Sequence, residues 1–178
     1  MISFPSTKAL VLITLAACLA VASPAYGQTT LEKRSLGLPG WELHQQGDLF
    51  ADDPATVKVW AVYSDATVKF SIGCTFGSYI DVSWQPSRPL SGGVAPTSFS
   101  IAGKTVATRQ FLTRAPSSAP AEYGWAEQGG DGLHLLQAIY ENWSGALVIS
   151  GGGVTDTIPF DEEKMGGASE LVLFACGQ

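Results

Sequence analysis

The chain has 178 residues, 46% of them hydrophobic and 15% charged, with a formal charge of −6. That is the composition of a globular protein with one domain's worth of core, and its acidity excludes partners recognised through a phosphate backbone. Nucleic acid is therefore not an expected partner.

Lys8 precedes the apolar run Ala9 to Ala22, and small residues follow at Ser23, Ala25 and Gly27, so residues 1–27 read as an export signal. The run is too short to span a bilayer as a stable helix. Cleavage falls after Ala25 or Gly27. The alternative is a lipoprotein signal, Leu15-Ala16-Ala17-Cys18, in which Cys18 is acylated, but the continued apolarity of Leu19-Ala20-Val21 favours ordinary cleavage. Export implies the periplasm or the medium, with no membrane insertion after signal removal unless Cys18 carries a lipid. Without Lys8, nine cations face sixteen carboxylates, a charge near −7. About 150 residues remain, the size of one domain.

With Cys18 set aside, Cys74 and Cys176 form an even pair in an exported chain, and an oxidising compartment makes a disulfide the default. The competing zinc site is poor, because the two remaining ligands would be distant histidines. No cofactor is expected.

Residues 28–40 mix Thr, Lys-Arg, Pro and Gly without an apolar period and read as a flexible lead-in, with Lys33-Arg34 an exposed protease-sensitive pair. A single domain then runs from 41 to 178. Alternation marks strands at 41–45, 56–63, 67–74 and 79–84, the middle pair a hairpin about Ser64-Asp65-Ala66 and the last three a meander. Val68, Phe70, Ile72 and Cys74 share one face of the central strand. Gln85 to Pro96 is a loop. A second hairpin joins 97–102 to 105–112 about Gly103-Lys104. After a Pro, Ser and Ala loop and a short strand at 123–126, Asp131 is the expected cap of a helix over 133–143, with Leu133, Leu136, Tyr140 and Trp143 on one face. Strands at 146–150 and 154–160 pair through Gly151-Gly152-Gly153. Asp161 offers a cap for a final helix, although Gly166-Gly167 would delay its start to Ala168.

Signals for chemistry are sparse. Nucleophilic catalysis needs a serine or cysteine beside a base, but the chain has no G-x-S-x-G and only His44 and His134. His134 is expected at the solvent edge of its helix. Asp52-Asp53 and Asp161-Glu162-Glu163 read as solvated turns and a helix start ahead of a calcium site or a glycosidase pair, which need carboxylates converging from opposite sides. Ser150-Gly151-Gly152-Gly153 lacks the Lys-Ser/Thr of a phosphate loop. Asn142-Trp143-Ser144 is a formal sequon. Of the tryptophans at 41, 60, 84, 125 and 143, Trp84 falls in phase with the core, whereas Trp60 sits with Lys58 opposite Val57, Val59 and Ala61. Trp60 is therefore the expected exposed aromatic contact.

The order of features resembles the exported bacterial proteins of the invasion-associated locus B type and the related VasI-like proteins linked to type VI secretion. The features are Trp41, Asp52-Asp53-Pro54, Phe70-Ser71-Ile72-Gly73-Cys74, Asp81-Val82-Ser83-Trp84, the Phe99 to Leu112 hairpin, Trp125, the Leu-Leu helix, and Ile158-Pro159-Phe160-Asp161 leading to Cys176. Lys164-Met165-Gly166-Gly167 departs from the pattern. The resemblance implies a mainly β protein, an antiparallel β-sandwich with two short α-helices in the C-terminal half, a Cys74 to Cys176 bridge and no enzyme activity. The expected role is a non-enzymatic accessory of the bacterial envelope that binds another protein. An acidic inhibitor or binder of a basic extracellular enzyme or of a glycan is the alternative.

Overall fold

A computed structural model of the chain describes residues 30–47, 57–75, 79–91, 96–110, 112–113 and 121–177. Residues 1–27, read as an export signal, with Cys18, and Asp52-Asp53 lie outside the described residues. Among the described residues eleven strands form two antiparallel sheets, and two helices lie in the C-terminal half. The strands are β1 (Leu31–Ser35), β2 (Trp41–Gln46), β3 (Lys58–Ser64), β4 (Lys69–Thr75), β5 (Tyr79–Gln85), β6 (Pro96–Ile101), β7 (Lys104–Gln110), β8 (Leu112–Thr113), β9 (Tyr123–Gln128), β10 (Ser144–Gly151) and β11 (Val154–Asp161). The helices are α1 (Gly130–Glu141) and α2 (Ala168–Ala175).

The larger sheet runs β1-β2-β3-β4-β5-β9-β8 and the smaller β11-β10-β6-β7. The meander thus extends from β1 to β5. The lead-in, expected to be irregular, contributes β1, which is exposed along its whole length and pairs with β2 from Leu31 opposite Gln46 to Ser35 opposite Glu42. It buries no side chain, so apolar periodicity could not reveal it. The expected strand 105–112 is also divided: β7 ends in the smaller sheet at Gln110, and β8 joins the larger one at Leu112.

The inner faces carry the alternation read from the sequence. Phe70, Ile72 and Cys74 of β4, Ile80, Val82 and Trp84 of β5, and Leu147, Ile149, Ile158 and Phe160 of the smaller sheet are all buried. The Phe99 and Trp125 rings meet at 5.3 Å across the layers. Two indoles of the larger sheet also donate to β11: Trp41 Nε1 to the Pro159 carbonyl at 2.6 Å and Trp84 Nε1 to Asp156 Oδ2 at 2.9 Å. Pro159 lies on β11, an edge strand, where a residue without an N–H disrupts no ladder.

Seven strands cannot be covered by four, and the helices, with Ala168 and Val172 of α2 and Met165 of the turn before it buried, close the remaining inner surface. α1 begins three residues earlier than expected, with Gly129 at its N-cap position and no side-chain cap from that residue. Asp131 lies inside the first turn, 3.0 Å from Arg109 Nε, and Glu127 of β9 accepts the Gly132 N–H at 2.6 Å. The cap therefore comes from Glu127, five residues upstream at the end of β9, outside the usual N-cap spacing. The buried face is Gly132, Leu135, Leu136 and Ile139; of the expected Leu133, Leu136, Tyr140 and Trp143, Leu136 is buried, Leu133 and Tyr140 are half-buried and Trp143 is exposed.

Asp161 does not cap the final helix. It ends β11 and accepts the Lys164 N–H at 3.1 Å, while α2 starts at Ala168. Glu162, expected in the first turn of the final helix, lies ahead of it, is buried, and accepts from the Ser169 N–H at 3.2 Å and the Ser169 hydroxyl at 2.5 Å. A carboxylate at the first turn satisfies free N–H groups and meets the positive end of the helix dipole. At the far end of α2, Cys176 is bonded to Cys74 with Cα atoms 5.5 Å apart.

Candidate binding face around Trp60

Strand register aligns the solvent side of the larger sheet into rows. His44, Trp60, Gly73, Asp81 and Ala126 lie side by side across β2, β3, β4, β5 and β9. The adjacent row is Glu42, Val62, Ser71, Ser83 and Gly124. Beyond it Lys69 stands opposite Gln85. Gly73, Ser71, Ser83 and Gly124 are all small, so the middle of the face is depressed between taller neighbours. The result is a groove of about 260 Å³ lined by His44, Trp60, Val62, Lys69, Ser71, Ser83, Gln85 and Glu122.

Trp60 is half-buried rather than fully exposed. Its position follows from Gly73: a Cβ built there would lie 2.4 Å from Trp60 Cδ1 and 2.2 Å from the Val59 carbonyl oxygen. The absent side chain is what lets the pyrrole edge of the indole lean across β4, a cross-strand glycine covered by an aromatic. The rest of the ring faces the groove. Its N–H finds no hydrogen-bond partner among the described residues.

The Ser71 and Ser83 hydroxyls are 2.8 Å apart and bond each other, which leaves a donor and several lone pairs free. His44 Nε2 lies 2.8 Å from Glu42 Oε2, and that hydrogen bond holds the Glu42 carboxyl below its ordinary range. Since the serines pair with each other and the imidazole pairs with a carboxylate, the groove offers ring contact and hydrogen bonds. Lys69 and Glu122 stand on its rim with opposite charges.

Other residues singled out in the sequence lie elsewhere. His134 is exposed on α1. Asp161 is paired with Lys164, which lowers the Asp161 carboxyl and raises the Lys164 amine, while Glu162 turns inward to Ser169. Those two carboxylates therefore do not converge. Among the described residues no group of three His, Cys, Asp or Glu side chains is placed to hold a metal ion, and no helix is long and apolar enough to cross a membrane. Gly152 and Gly153 form the hairpin turn between β10 and β11, both with positive φ.

Two functional candidates escaped the sequence reading. Trp143 is 63% exposed and holds a left-handed φ of 55°, with the Tyr140 ring 6.3 Å away. Helical spacing places it on the apolar face of a helix running to 143, but α1 ends at Glu141 and Trp143 lies beyond its C-cap, Asn142. Asp156 is buried, and besides Trp84 it accepts the Ser87 N–H at 3.1 Å and the Ser87 hydroxyl at 2.5 Å. Its phase with Val154, Ile158 and Phe160 was the available signal.

No protein-family model matches the chain, and neither a curated protein nor a solved structure matches it.

Proposed function

We propose that the protein is a non-enzymatic binding protein of the bacterial envelope, periplasmic or secreted, whose recognition surface is the solvent side of the larger sheet. The observation that carries this reading is the Trp60 groove: a half-buried indole with an unengaged N–H beside a trough of small residues. A large aromatic with a polar handle, set among hydrogen-bonding groups on a rigid sheet, is an anchor for recognition. The Cys74 to Cys176 bridge supports an oxidising compartment. A secretion-accessory or host-interaction role is what the resemblance to the invasion-associated locus B and VasI-like proteins adds.

The test is capture. Disulfide-intact protein is immobilised and exposed to envelope and culture-medium extracts, with Trp60→Ala and the distant Thr157→Ala as variants. Retention of a partner by wild type and Thr157→Ala and its loss from Trp60→Ala is the expected result. Reproducible absence of any partner under mild crosslinking, or equal capture by Trp60→Ala, contradicts the reading.

A further inference from the structure

We infer that the Trp60 groove takes a single uncharged pyranose ring of a glycan, stacked on the indole and hydrogen-bonded by Ser71, Ser83 and Glu122. The inference rests on the reading of this face as the recognition surface and names the chemistry of its ligand.

A pyranose presents a face of C–H groups within a rim of hydroxyls, each both donor and acceptor. The groove matches both parts. The indole supplies apolar, polarisable area together with an N–H that no described residue occupies. The Ser71 and Ser83 pair, having spent one hydrogen bond on each other, retains both a donor and acceptors, which suits hydroxyls rather than a purely anionic or cationic group. Glu122, at the rim, has no ion-pair or hydrogen-bond partner among the described residues and can accept from two sugar hydroxyls.

Size and charge narrow the choice. About 260 Å³ lies below the usual range of roughly 300 to 1,000 Å³ for sites of drug-sized ligands, so the groove holds about one ring, and the other rings of a longer glycan lie outside it. Lys69 and Glu122 balance, so the groove gives little net attraction to an ion of either sign. An extended peptide is disfavoured by topology. β4 and β5 are paired on both sides, which leaves no free backbone edge under the groove for strand addition.

The exported chain with its disulfide intact is titrated with chitotriose, cellotriose, maltotriose and mannotriose, using calorimetry for affinity and saturation-transfer NMR for the contact. The expected result is binding of at least one of them, with saturation reaching the ring C–H protons. Trp60→Ala should weaken it about tenfold or more, Trp60→Phe should keep most of it, and Ser71→Ala with Ser83→Ala should weaken it several-fold. Raising salt from about 0.05 to 0.5 M should change the affinity by less than about twofold, because no net charge is neutralised.

The Phe and Ser variants keep the test sound where Trp60→Ala folds poorly. If none of the saccharides binds although Trp60→Ala still abolishes capture from extracts, the glycan inference is overturned and the recognition face stands. Binding of oligolysine at this face that salt abolishes overturns it equally, in favour of a basic partner. If Trp60→Ala alters neither capture nor saccharide binding, both fall.

Discussion

Removing the disulfide perturbs the fold at a place where the size of the effect can be worked out. The bridge spans 102 residues, and the chain-entropy relation for a loop of that length gives about 4 to 5 kcal/mol of destabilisation of the unfolded state. Both cysteines are buried, at 1% and 2% exposure, so Cys74→Ala with Cys176→Ala avoids the unsatisfied hydroxyls that serine would introduce. The expected loss is a large share of the roughly 5 to 15 kcal/mol available to a domain. Urea unfolding followed by tryptophan fluorescence measures it. The midpoint should fall, and the m-value should rise, because an unbridged unfolded chain exposes more surface. α2 should feel the loss first: eight residues are too few for a helix to persist by its own propensity, and Cys176 is its covalent anchor. Amide exchange over 168–175 should therefore accelerate more than in β4. A double variant within about 1 kcal/mol of the oxidised protein, with unchanged exchange in α2, would refute the reasoning.

Asp156→Ala strips acceptors from the Trp84 indole and the Ser87 N–H and hydroxyl, and should cost about 3 to 5 kcal/mol by chemical denaturation. Asp156→Asn should cost only about 1 kcal/mol, because the Ser87 hydroxyl can turn to accept while the indole keeps its acceptor; equal losses would contradict that assignment. Asp65 is held at about 2 by the N–H groups of Thr67 and Val68, below its ordinary 3.8, so its contribution is complete above the unfolded value and is lost as pH falls from 3.8 towards 2. Asp65 is exposed, so solvent screening reduces the contribution to about 1 kcal/mol; the stability gap between wild type and Asp65→Ala should close between pH 4 and 2, and a gap constant with pH would count against it.

Period-two alternation made the sandwich legible, since β2 to β5, β6, β10 and β11 each bury one phase of their sequence. The same alternation put Trp60 on the solvent side. It could not show the groove, because the trough exists only once register sets Gly73 beside Trp60 and Ser71 beside Ser83, and pairing is a property of two strands at once. β1 was missed for the converse reason: it buries nothing. The start of α2 at Ala168 was legible in Gly166-Gly167, but the start of α1 and both caps were misassigned where acids near each N-terminus suggested local caps. The carboxylates that serve the helices are Glu127, from β9, and Glu162, five residues upstream of Gly167, so Asp131 and Asp161 were free for Arg109 and Lys164. Trp143 is exposed because α1 ends at Glu141, short of the expected 143, and its left-handed φ, costly for a bulky residue, is invisible in a periodic reading.

The proposed recognition face is tested most directly by photocrosslinking in the producing cell. A photoreactive amino acid replaces Val62, in the groove wall, or Thr157, on the exposed side of β11 in the other sheet. Adducts at position 62 that are absent at 157, and that disappear when Trp60→Ala is added, are the predicted result. Adducts at 157 alone, or at both positions regardless of Trp60, would contradict the account.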